Sequence, residues 1–281
     1  MAFDGFGRVT LDWDKNGNLK NSKTATSLVW NWDNKLRTAV TASDTVKLKY
    51  DPSGNRIYKD IGNGTTTRKY IVDPVGRLSQ ILLEIDPKGP GAVDDVIEKT
   101  HMYANDQIVA QYDGTSFDPA ANKYYYLHDR LGSVRLILDE TGDVVNRYTY
   151  QPFGELFAAE TTETVNNPFK YTGQYHDAEI AQYYLRTRQY DPYLNRFTSR
   201  DPVRGKFQEP LTLHRYLYAA NNPINRIDPS GKTPLLFDMM ATGFINSWRF
   251  ASRAVSLGRA WSLTKTSEQK SHFIMQRSLE L

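Results

Sequence analysis

The sequence predicts an all-β chain assembled from repeated β-hairpins, and three observations carry that expectation. A cadence of aromatic, aspartate and glycine returns with drifting spacing from the first residues to about Gly231. Between its copies, apolar and polar residues alternate with period two, as in Thr45-Val46-Lys47-Leu48-Lys49-Tyr50. The 281 residues include 18 Tyr, 12 Phe and 5 Trp, yet the mean hydropathy is −0.59. That pairing suits half-buried pleated surfaces better than a helical globule.

In each copy an aromatic ends one strand and Asp accepts backbone N–H groups in the turn. Gly or Asn takes the left-handed position, and an aliphatic residue or Arg starts the return strand. The copies read Trp13-Asp14 to Gly17-Asn18-Leu19, Trp32-Asp33-Asn34-Lys35-Leu36, Tyr50-Asp51-Pro52-Ser53-Gly54-Asn55-Arg56, and Tyr70 to Asp73-Pro74-Val75-Gly76-Arg77-Leu78. One unit cannot bury its apolar face alone, so the units stack into a continuous sheet. Asp86-Pro87-Lys88-Gly89-Pro90-Gly91 reads as a loop, and strands resume at His101-Met102-Tyr103 and Ile108 to Tyr112. A denser meander follows, with turns at Asp129 to Gly132 and Glu140 to Asp143, returns through Val134 to Leu138 and Val144 to Tyr150, and a close at Gln151-Pro152-Phe153-Gly154-Glu155.

Composition narrows the function classes. The net charge is +3 with basic residues scattered through the hairpins, so no nucleic-acid partner is expected. The absence of Cys removes disulfide frameworks, thiolate metal sites and thiol nucleophiles. The 5 His are widely separated, and neither a metal nor a cofactor is expected. No long apolar run and no export signal is visible, so no transmembrane span is expected. Met1-Ala2-Phe3-Asp4-Gly5-Phe6-Gly7-Arg8 already reads as repeat, which suggests the terminal piece of a larger product, secreted or displayed at the cell surface.

Beyond the hairpins, several ordered motifs point to one family. They are His128-Asp129-Arg130-Leu131-Gly132-Ser133-Val134-Arg135, Tyr150-Gln151-Pro152-Phe153-Gly154-Glu155, Phe169-Lys170-Tyr171-Thr172-Gly173-Gln174, Tyr183-Tyr184-Leu185-Arg186-Thr187-Arg188-Gln189-Tyr190-Asp191-Pro192 with Arg196-Phe197, and Asn221-Asn222-Pro223-Ile224-Asn225-Arg226-Ile227-Asp228-Pro229-Ser230-Gly231. Together they resemble the RHS repeat-associated core domain, and the upstream hairpins resemble its YD repeats. That family includes polymorphic bacterial toxins, the cocoon subunit of insecticidal Tc complexes and the YD shell of teneurins. The resemblance implies a hollow β-shell whose end is plugged by the core domain, and in toxin members a variable effector carried inside. It divides the chain into a repeat segment over 1–123, a core or plug over 124–232 and a variable tail over 233–281. Strands polar on both faces would suit a wetted cavity, and their exposed edges would require upstream repeats or a partner chain.

The resemblance also implies chemistry at Arg200-Asp201-Pro202 and Asp228-Pro229-Ser230-Gly231. Toxin members cleave themselves just after the second element by an aspartic-protease-like reaction. Asp201 and Asp228 are the matching carboxylates, Arg200 could orient one of them, and the bond after Lys232 is the expected scissile bond. Paired carboxylates suit such chemistry because one retains a proton as acid while the other activates water. The sequence departs from the family at Lys232, where Leu is usual, in the extra residue of Asp201-Pro202-Val203-Arg204-Gly205, and at Leu217, near which Tc members carry a further acid. The competing reading of both aspartates is turn chemistry, since Asp73-Pro74, Asp86-Pro87, Asp118-Pro119 and Asp191-Pro192 recur without proposed catalysis.

Other residues read as architecture. His128 beside Asp129 has no nucleophile tied to it, and Arg135, Arg147, Arg186, Arg188 and Arg196 alternate with aromatics as stacked sheet residues do, although they could line a basic interior. In the tail, Phe244, Ile245, Trp248, Ala251 and Val255 follow helical spacing with Arg249, Arg253 and Arg259 near the opposite side. No enzyme motif is visible there. The expected function is a shell and plug holding its own C-terminal segment as cargo. The alternatives are a surface scaffold that binds carbohydrate or protein, and a truncated fragment without independent activity.

Overall fold

The computed structural model describes residues 10–87, 95–115, 121–232 and 235–236. Twelve strands form one antiparallel sheet in chain order: β1 (Ala25–Trp30), β2 (Leu36–Thr41), β3 (Thr45–Tyr50), β4 (Arg56–Ile61), β5 (Thr66–Asp73), β6 (Gln80–Asp86), β7 (Val96–Ala104), β8 (Gln107–Asp113), β9 (Lys123–His128), β10 (Val134–Leu138), β11 (Val144–Arg147) and β12 (Thr162–Glu163). Four more strands, β13 (Tyr175–Asp177), β14 (Gln182–Leu185), β15 (Arg188–Asp191) and β16 (Arg196–Phe197), form a second sheet. Finally β17 (Arg226–Ile227) pairs with β18 (Leu235–Leu236). The all-β expectation holds. The 123/124 division falls at the start of β9, and the large sheet runs through it unbroken. The expected tail helices and most of the Asp86 to Gly91 loop lie outside the described residues.

One turn recurs through both parts. A strand-ending residue pairs with the residue six positions on, as in Trp13 with Leu19, Trp30 with Leu36, Tyr50 with Arg56, His128 with Val134, and Tyr150 with Leu156. Between them a left-handed residue, Gly17, Asn34, Gly54, Gly132 or Gly154, donates its N–H back to the carbonyl of Asp14, Asn31, Asp51, Asp129 or Gln151. Side chains reinforce the loop: Asp51 Oδ1 accepts the amide of Asn55 at 2.8 Å, and Asp129 Oδ1 accepts those of Leu131 and Ser133 at 2.9 Å. The copy read as Trp32-Asp33 is shifted. Its acceptor is Asn31, which receives the amides of Asp33 at 3.0 Å and Lys35 at 2.8 Å, and the strand-ending aromatic is Trp30.

These aromatics also explain the preference for Tyr and Trp over Phe. Trp30 Nε1 donates to the carbonyl of Leu19 at 2.7 Å, Tyr50 to Leu36 at 2.8 Å, Tyr103 to Ile81 at 3.0 Å and Tyr150 to Val134 at 2.7 Å. Each ring fills the interior while its polar tip satisfies backbone of the preceding repeat.

The expectation of strands polar on both faces does not hold for this segment. Leu28, Leu36, Ala39, Val46 and Leu48 form one buried cluster with Ile180. Tyr70, Ile81, Ile108, Tyr126 and Ile137 form another with Phe169, Tyr175 and Tyr184. The second sheet therefore sits on the inner face of the wall, where aromatic burial at about 25 cal/mol per Å² supplies the main driving force.

Charge reinforces that seam. Arg56 on β4 is 0% exposed, and its Nη1 donates to both oxygens of Asp177 on β13, at 2.8 and 2.7 Å. Lys59 Nζ donates to Asp177 at 3.0 Å and to Glu179 at 2.6 Å. The rings of Tyr70, Tyr175 and Tyr184 lie 5.3, 4.6 and 4.4 Å from the Arg56 guanidinium carbon. Burial alone would raise the Asp177 carboxyl, but Arg56 and Lys59 outweigh it and hold it at about 2.

Candidate functional site

Asp201 and Asp228, far apart in sequence, come together at a side chain that the sequence reading had treated as architecture. Arg188, at the start of β15, is 3% exposed. Its Nη2 lies 2.8 Å from Asp201 Oδ2 and 3.5 Å from Asp228 Oδ2. The guanidinium also donates to the carbonyls of Gly231 at 2.5 Å and Arg215 at 3.1 Å, and it lies over the Phe197 ring at 3.5 Å. Burial pulls the Arg188 pKa down, and the two aspartates oppose that pull. Arg200 does not share this position. It is exposed and lies beside Gly17 and Tyr216.

Each aspartate does two jobs with different oxygens. Asp228 Oδ1 accepts from the Ser230 hydroxyl at 3.2 Å and the Lys232 amide at 3.1 Å, while the Gly231 amide returns to the Asp228 carbonyl. With Gly231 at φ 69°, this is the recurrent turn of the wall. Asp201 Oδ1 likewise accepts the Val203 amide at 2.8 Å. The turn reading and the site reading thus coexist: Oδ1 shapes the loop and Oδ2 faces Arg188.

The backbone ahead of the expected scissile bond is held residue by residue. Pro229, Ser230 and Gly231 present successive carbonyls to Arg186 Nη1 at 2.7 Å, the Thr187 amide at 3.3 Å and Arg188 Nε at 2.5 Å. Arg186 in turn is fixed to the wall, donating through Nε to the Ser79 carbonyl at 2.7 Å and accepting from Lys35 Nζ at 2.9 Å on its own carbonyl. Burial, helped by the nearby positive charge of Lys232, lowers the Lys35 amine to about 8.

Asp201, Asp228, Arg188 and Lys232 all border one cleft of about 570 Å³, lined also by residues 203–206, 209–212 and His214. Leu217 lines it too, an apolar group where the resemblance implied an acid. Among the described residues no cluster of His, Asp and Glu suits a metal ion, and no helix is long and apolar enough to cross a membrane. His128 is not poised as a base: burial lowers it to about 4, and Asp129 is engaged in its turn.

A family model described as Teneurin YD-shell matches residues 110–224. The tRNA nuclease WapA of Bacillus subtilis is 32% identical over 227 residues, 79% of this chain and 9% of that protein. Toxin subunit YenC1 of Yersinia entomophaga is 25% identical over 262 residues, 85% of this chain and 25% of its own length. The chain belongs to the RHS/YD-repeat shell family. Among solved structures, the TcdB2-TccC3 crystal structure superposes with a TM-score of 0.59 at 22% identity, covering 78% of this chain and 11% of that one. This supports the fold, and a Photorhabdus luminescens Tc holotoxin pore matches in the same way, with a TM-score of 0.60. The chain therefore spans a small part of the RHS/YD-repeat proteins it matches.

Proposed function

We propose that this chain closes an RHS/YD-repeat shell, retains the segment after Lys232 as cargo, and severs that segment by intramolecular hydrolysis of the Lys232–Thr233 bond. The observation that carries the reading is the convergence of Asp201 and Asp228 on Arg188, whose own Nε holds the Gly231 carbonyl. In aspartic-type hydrolysis one carboxyl of such a pair holds a proton while the other is ionised. The protonated carboxyl then serves as the acid and its partner as the base. The base takes a proton from water as its oxygen attacks the Lys232 carbonyl carbon. The acid protonates the Thr233 nitrogen as the C–N bond breaks, leaving a carboxylic acid at Lys232, which gives up its proton to water, and an amine at Thr233. Arg188 positions both acids and the peptide without being consumed.

As cargo container, the segment would need upstream repeats or a second chain along the edge of β1, and it would act as part of a larger secreted toxin component. The test is the purified full chain followed by intact-mass spectrometry at several protein concentrations. A fragment beginning at Thr233 should appear at a rate independent of concentration, and Asp201→Asn or Asp228→Asn should slow it by at least about 100-fold with unchanged circular dichroism. Persistence of intact wild-type chain would remove the cleavage reading. Equal rates in the variants would remove these carboxylates from it.

A further inference from the structure

We infer that the seam between wall and plug holds a small monovalent anion, a halide, between Arg56 and Arg186. A cavity of about 20 Å³ lies there, bordered by these two side chains together with Ser79, Gln174, Tyr103 and Tyr184. This is room for one water-sized or halide-sized occupant. Three features of the cavity and its surroundings bear on the occupant. Arg56 spends only Nη1 on Asp177, and its buried Nε and Nη2 have no hydrogen-bond acceptor among the described residues. Asp177 itself is shared with Lys59, which also pairs with Glu179. Arg186, half-buried, donates its hydrogen bonds to neutral oxygens, the carbonyls of Ser79 and Pro229 and the side-chain amide oxygen of Gln174, each at 2.7 Å, with the Asp106 carboxylate acting on it without a hydrogen bond. Two guanidinium groups around one small cavity, one of them fully buried, make a site in which charge compensation by an anion exceeds what a water could give.

The site would tie the wall hairpins at Arg56 and Ser79 to the plug strand end at Arg186, so occupancy should stabilise the folded chain by mass action. The experiment uses the full chain. Thermal unfolding is followed at constant ionic strength while chloride is replaced by gluconate, which is too large for the cavity, and crystals are soaked in bromide for anomalous scattering. The expected result is a midpoint a few degrees higher in chloride or bromide than in gluconate, with a bromide peak between Arg56 and Arg186. Gln174→Glu, which places a tethered carboxylate in the cavity, should abolish the halide dependence while leaving the chain as stable in gluconate as wild type is in chloride. An absent bromide peak, or water density in its place, overturns the proposal. So does a halide dependence that persists undiminished in Gln174→Glu.

Discussion

At the scale of single residues, the seam is governed by charges that the fold has removed from water. Replacing Asp177 by Asn leaves Arg56 buried without its carboxylate and Lys59 with Glu179 alone, and should lower stability by about 3–5 kcal/mol in urea titration. The pH dependence follows from three kinds of group. Asp177, held at about 2, contributes stability that is lost as pH falls from about 4 towards 2. His128 and His176, pushed by burial to about 4 and about 3, take up protons more readily when unfolded, so stability is lost as pH falls below about 6.5. Asp191 acts in the opposite sense: burial raises it to about 6, and the folded chain gains relative to the unfolded one as pH falls from about 6 to 4. Asp191→Asn keeps an acceptor for the amides of Tyr193 and Leu194 while removing the buried charge. It should be more stable than wild type at pH 8 by roughly 1–3 kcal/mol and lose stability more steeply between pH 6 and 4. Parallel melting curves for the two proteins across that range would refute this assignment.

At the scale of elements, the unit of construction is the turn and the ring that ends its strand. Because Asn31 and not Asp33 is the acceptor in the first wall hairpin, Asn31→Ala should cost about 1 kcal/mol, whereas Asp33→Ala should be near neutral; chemical denaturation of the two variants separates them. Gly154 has φ 93°, and a Cβ there would lie 2.4 Å from the Tyr171 ring. Gly154→Ala should therefore destabilise by about 2–4 kcal/mol from left-handed strain and overpacking together. Strands, turns and the order of motifs were legible in the sequence because Asp, Asn and Gly act locally. Two things were not. The register of the Trp30 hairpin was ambiguous because Asn31 and Asp33 are equally competent acceptors, with Trp30 and Trp32 as equally plausible strand ends. Arg188 looked like an ordinary sheet arginine and Arg56 like the start of a return strand, since what distinguishes them is contact with residues far along the chain. A signal for Arg56 existed: it occupies a position where Leu19, Leu36, Val134 and Leu156 stand in other copies, which places a guanidinium inside and demands a buried partner.

At the scale of the whole molecule, the account rests on wall and plug being one cooperative body. The second sheet and β17 lie within the segment expected as core or plug, yet their partners are Arg56, Ser79 and Lys35 of the large sheet, and the peptide ahead of Lys232 is held through Arg186, which that sheet fixes. The plug strands are too short to persist alone, so their stability must come from the wall. Native-state hydrogen exchange on the full chain measures this most directly. Amides of β13 to β15 should exchange with the same opening free energy as those of β4, β9 and β10, and should fall together with them in Asp177→Asn. Exchange of the plug strands at a much lower opening free energy, with the wall still protected, would contradict the account.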